Sequence, residues 1–117
     1  MDPRLRRAVD ANIGWYEDIF ALHGIGSVLE DGLWSSRSGP PALHSDAVVV
    51  EPSVRAEQVV HRLAGRSRAG VKDSFAALDL SSAGMDVLFT ASWIHREPAA
   101  AGRTAWRVVR SAQGLAA

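Results

Sequence analysis

The sequence predicts an α+β fold: a mainly antiparallel sheet of about five short strands with two main helices on one face. Three observations carry this. A helical repeat of apolar residues fills the N-terminal segment, a shorter one lies near the middle, and short β-branched or alternating runs fall between turn signals. At 117 residues the chain has the usual length of one domain, so residues 1–117 are read as a single unit.

The first helix has the clearest signals. Asp2 suits the N-cap and Pro3 the first helical position, where a missing N–H costs nothing. Leu5, Val9, Ile13, Tyr16 and Phe20 recur at spacings of three and four, one face of a helix reaching about Leu22. Trp15 and Ile19 widen that face, Gly14 weakens the middle by roughly 1 kcal/mol relative to alanine, and His23-Gly24 is a stop signal.

Asp31-Gly32 marks a turn, followed by a short strand at Leu33-Trp34-Ser35-Ser36. Ser38-Gly39-Pro40-Pro41 is a loop, and Ala47 to Val50 reads as a buried strand. Ser53 is the expected N-cap of a second helix from about Val54 to Ala64, with Val59, Val60 and Leu63 as its buried stripe and Gly65 at its end. Val71 to Leu80 reads as a strand that breaks near Ser74. From Met85 to Ile94, the residues Met85, Val87, Phe89, Ala91 and Trp93 alternate onto one face, while Leu88 and Ile94 make the other partly apolar. That pattern predicts a central strand packed, with Val48 and Val50, against Val9, Ile13, Tyr16 and Phe20. Trp106 to Arg110 is a last short strand, and residues 103–117 form an edge strand or a linker.

Composition excludes several functions. Thirteen basic residues balance thirteen acidic ones, without the basic surplus that phosphate neutralisation demands, so no nucleic-acid partner is expected. The apolar runs are too short to span a bilayer and the N-terminus lacks an apolar signal core. With no cysteine there is no disulfide or thiolate chemistry. A cytoplasmic protein is the expectation. The bias to Arg, Ala, Gly and Val, against one lysine, points to a GC-rich genome.

The residues that could carry chemistry are few. Lys72, Asp73 and His95 could form an acid/base pocket. Arg62, Arg66 and Arg68 could meet a phosphate, although the nearby glycine ends a helix, where the dipole repels anions. His23, His44, His61 and His95 have no metal-site spacing, so no metal is expected. His44-Ser45-Asp46 has the residue types of a hydrolase triad, but neighbours on extended chain point in alternate directions. Trp15, Trp34, Trp93 and Trp106 could line a small-ligand cavity, fill a core or mark an interface.

Ala11-Asn12 with Trp15-Tyr16, Gly32-Leu33-Trp34, Val71-Lys72-Asp73-Ser74-Phe75, Leu78-Asp79-Leu80 and Gly84-Met85 leading to Leu88-Phe89 and Trp93-Ile94 form a further pattern. Together with Trp106-Arg107-Val108 before Gly114-Leu115-Ala116-Ala117, they resemble the N-terminal half of actinobacterial proteins related to the GNAT (GCN5-related) N-acetyltransferase superfamily. The resemblance implies a half-GNAT-like fold whose cofactor-binding half lies outside this sequence. It also implies acetyl-CoA as the cofactor to consider, held by an Arg/Gln-x-x-Gly-x-Gly/Ala loop opening a helix. The nearest approach, Arg62-Leu63-Ala64-Gly65-Arg66-Ser67, lacks the second glycine and ends a helix, so no cofactor and no catalytic residue carry over. The expected function is therefore that of a non-catalytic or incomplete domain working through protein contacts, as a homodimer or with another protein at its C-terminal strand. The alternatives are a small acyltransferase-like enzyme using Lys72, Asp73 and His95, and a tryptophan-lined binder of small ligands.

Overall fold

The computed structural model describes residues 1–98 and 108–113. Helix α1 spans Pro3–Leu22 and begins as its sequence requires: the Asp2 side chain accepts the Arg4 N–H at 2.7 Å, and Pro3 takes the first turn. Val9, Ile13, Tyr16 and Phe20 are its buried stripe. Trp15 lies off that stripe and is 59% exposed, so it does not widen the packing face. Gly24, at φ +70°, lets the chain turn out of the helix.

Strands β1 (Ser27–Glu30) and β2 (Leu33–Ser36) form a hairpin. Asp31 and Gly32 both have positive φ, at 50° and 76°, which is the two-residue turn matched to the twist of paired strands. β2 pairs antiparallel with β3 (Ala47–Val49). The chain then crosses over through α2 (Ala56–Arg62) and returns as β4 (Val71–Asp73), parallel to β3. A helical crossover is what makes that last pair parallel. The sheet order is β1-β2-β3-β4.

Pleat alternation sends β-strand side chains to two cores. Trp34, Val48 and Val50 pack with the α1 stripe on one face. Leu33, Ala47 and Val49 pack with Val54, Val59 and Leu63 on the other. Trp34 is fully buried with its ring edge-on to Tyr16 and Phe20, at centroid distances of 5.3 and 4.9 Å.

The α+β class holds, but the sheet departs from the expected one. Among the described residues it is mixed, has four strands rather than five antiparallel ones, and carries a helix on each face. Strand β1, absent from the sequence reading, is implied by the Asp31-Gly32 turn, which needs a strand on both sides. The second helix is shorter than expected, and Arg55 rather than Ser53 is its N-cap, with the Gln58 side chain accepting the Arg55 N–H at 2.8 Å.

The largest correction concerns Met85 to Ile94. This stretch is not a strand: Val87 is 83% exposed and Phe89 80%, so neither joins the core. Alternation specifies the faces a strand would present but does not supply its neighbour. After β4 the chain passes through a turn at Ala76, with φ 49°, and a short 3-10 turn at Ser81–Ala83. Of the last expected strand, residues 108–110 are not in a strand, while Trp106 and Arg107 lie outside the described residues, as does most of the 103–117 segment.

Candidate functional site

One row of the sheet places the polar cluster of greatest interest. Trp34 on β2 pairs with Val48 on β3, which pairs with Lys72 on β4. The first two are core residues beneath α1, so the register brings Lys72 to the same helix-covered layer. A lysine therefore ends a row that is otherwise apolar.

Lys72 is accommodated by neutral groups. Its Nζ donates to Asn12 Oδ1 at 2.6 Å and lies 5.0 Å from the ring centroid of Trp93 and 5.9 Å from that of Tyr16. The negative faces of aromatic rings hold cations in this way. Burial pushes the Lys72 ammonium below its ordinary pKa, because desolvation disfavours the charged form. Trp93 is anchored in turn: its indole N–H donates to the Ser74 carbonyl at 2.8 Å. Asn12 Nδ2, Ser74 Oγ and Trp34 Nε1 are buried polar atoms with no partner among the described residues.

Beside this cluster, the first turns of α1 (Asp2, Arg4, Leu5 and Ala8) and the segment Trp93, Ile94 and His95 line an open cavity of about 270 Å³. Trp93 thus belongs to both the cavity wall and the Lys72 cage.

Of the acid/base trio, Asp73 and Lys72 are adjacent on β4 and point to opposite faces. The Asp73 carboxylate accepts three backbone N–H groups, from Phe75 at 3.0 Å, Ala77 at 2.7 Å and Leu78 at 2.8 Å. It closes the turn after β4, as aspartate does at chain breaks. His95 lines the cavity and its Nε2 sits 2.9 Å from Glu97 Oε1 at the surface. Lys72 and His95 are thus joined only through the Trp93 segment, and Asp73 has a separate task.

The arginines act within the fold. Arg62 donates to the Leu33 carbonyl at 3.2 Å and to Ser35 Oγ at 3.0 Å, fastening α2 to β2. Arg66 donates to Ser36 and pairs with Asp46 at 2.9 Å. Arg68 is exposed. Asp46 is nearly fully buried, and its other oxygen accepts the Gly70 N–H at 2.8 Å, so the carboxylate ties the start of β3 to the start of β4. His44 rests edge-on against Tyr16 and Phe20. His23 and His61 are exposed.

Among the described residues no group of three or more His, Cys, Asp or Glu could hold a metal, and no helix is long and apolar enough to cross a membrane. Of the tryptophans, Trp34 fills the core, Trp15 faces outward and Trp93 lines the cavity, while Trp106 lies outside the described residues. Asn12, Ser74 and Asp46 were not singled out as site residues by sequence. Asn12 carried a signal, being a polar residue one turn before Tyr16 on the buried side of α1. No protein-family model matches this sequence, and no curated protein or solved structure shows significant similarity to it.

Proposed function

We propose that this chain is a non-catalytic, half-GNAT-like domain that acts through protein contacts, its partner being a second copy of itself. The observation that carries this is the stretch after β4. Val87 is 83%, Leu88 90%, Phe89 80% and Ile94 90% exposed, on a segment that is apolar on both faces. Exposed apolar surface of this kind marks interaction sites. A strand-like segment apolar on both sides suits a sheet interior better than water.

The neighbouring edge supports the same reading. β4 ends the sheet order, and no described strand pairs with its outer edge, which leaves backbone groups open to another strand. A two-fold pairing of like edges is the commonest symmetric solution. Arg62 and Arg66 are engaged within the fold, which supports a role without acetyl-CoA. The cysteine-free composition fits a reducing compartment such as the cytoplasm.

Sedimentation equilibrium tests the proposal. The intact chain should be a dimer at tens of micromolar, and Leu88→Ser with Phe89→Ser should make it a monomer that keeps its circular dichroism. A monomeric wild type, or a dimer indifferent to both changes, refutes it.

A further inference from the structure

We propose that the layer between α1 and the sheet, at Lys72, Asn12 and Trp93, is a binding site for a small monocarboxylate, with Trp93 as its door. Donors outnumber acceptors around Lys72. Lys72 brings three N–H donors and has one oxygen partner, Asn12 Oδ1 at 2.6 Å. The amide nitrogen of the same Asn12 is buried without an acceptor among the described residues. Ser74, 7% exposed, has an unpartnered hydroxyl beside the carbonyl that anchors Trp93. Among the described residues no carboxylate pairs with Lys72. A donor-rich, acceptor-poor layer holding one unneutralised cation is the complement of an oxyanion.

Charge and shape narrow the class. One ammonium balances the single charge of a carboxylate, whereas a phosphoryl group carries about −1.5 to −2 and would be left under-neutralised. The adjoining open cavity of about 270 Å³ is lined by apolar Leu5, Ala8 and Ile94 and by polar Asp2, Arg4 and His95, and Trp93 belongs both to its wall and to the Lys72 cage. A cavity of about 150 Å³ accepts benzene, so by volume this open one has room for a substituted ring. Opening the way requires Trp93, 36% exposed, to give up one hydrogen bond and its place over the ammonium. The carboxylate would then replace a cation–π contact with a charge-assisted hydrogen bond, which is the stronger interaction.

Lys72 is the only lysine, so a chain labelled with carbon-13 lysine gives one ε-methylene resonance, which reports on this site alone. Sodium benzoate should shift it saturably, with a dissociation constant in the millimolar range or tighter. Sodium phosphate should bind at least tenfold more weakly and sodium chloride should give no saturable shift. Asn12→Asp places a carboxylate against the ammonium and should weaken benzoate at least tenfold while the fold persists. If that variant does not fold, Lys72→Gln, titrated with benzoate by calorimetry, carries the same expectation. No saturable shift with benzoate, an equal response to phosphate or chloride, or unchanged affinity in the variant overturns the proposal.

Discussion

Replacing Gly32 with alanine should destabilise the fold far more than the same change at Gly84, although the two glycines share a backbone conformation. Both are left-handed, at φ +76° and +80°. A Cβ in that region costs about 1–2 kcal/mol at either site. Their surroundings differ. At Gly32 the new Cβ would lie 2.5 Å from Glu51 Cβ, 2.8 Å from Glu51 Cγ and 3.2 Å from Val54 Cγ2, whereas nothing lies within 4 Å at Gly84. The Gly32 carbonyl also accepts the N–H groups of Val50 at 2.8 Å and Glu51 at 3.1 Å, so the hairpin turn cannot retreat without breaking the end of β3 away. Overpacking of this kind costs about 1–3 kcal/mol more. The expectation is about 2–5 kcal/mol for Gly32→Ala and about 1–2 kcal/mol for Gly84→Ala. Urea unfolding followed by tryptophan fluorescence measures both, since Trp34 reports on the core. A difference below about 0.5 kcal/mol would refute the close approach of the hairpin to residue 51.

Three further outcomes follow from named contacts. Asp46→Ala strips partners from Arg66 and from the Gly70 N–H and should cost about 2–4 kcal/mol in the same urea assay, a loss under about 1 kcal/mol counting against it. Burial holds the folded pKa of Lys72 below the ordinary 10.5. The unfolded chain therefore binds more protons between the folded pKa and 10.5, and across that window the wild type should gain stability with rising pH relative to Lys72→Met. A flat or falling difference between the two contradicts the buried placement of Lys72. Calorimetry with acetyl-CoA should show no tight binding, and a micromolar dissociation constant lost on Arg66→Ala would revive the transferase reading.

What could be read from sequence was what local physics decides. Asp2, Pro3 and the Val9–Phe20 stripe identify α1 because capping and periodicity act within a few residues. The β-branched run at Ala47–Val49 identifies β3 for the same reason. Strand partners are not local. The alternation of Met85 to Trp93 has the pattern of a strand, yet whether it pairs depends on an edge the pattern does not contain. The parallel β3–β4 pair depends on how the α2 crossover returns the chain, and that set the sheet type. At the site, Lys72 was singled out as the lone lysine. Its cage was not, because Asn12 and Tyr16 on α1, Lys72 on β4 and Trp93 after it come from three separate parts of the chain. Asp73 and Arg62 looked equally chemical in sequence, and their hydrogen bonds to turns and strands became apparent only in three dimensions.

The proposed dimer uses the apolar stretch after β4 as its contact surface with a second copy of the chain. Amide hydrogen exchange at residues 86–90, measured across a range of protein concentrations, tests it most directly. Backbone pairing across a dimer should slow exchange at Val87, Leu88 and Phe89 as concentration rises, with Phe89→Ser abolishing the protection. Exchange at those amides that stays fast at every concentration would contradict the claim.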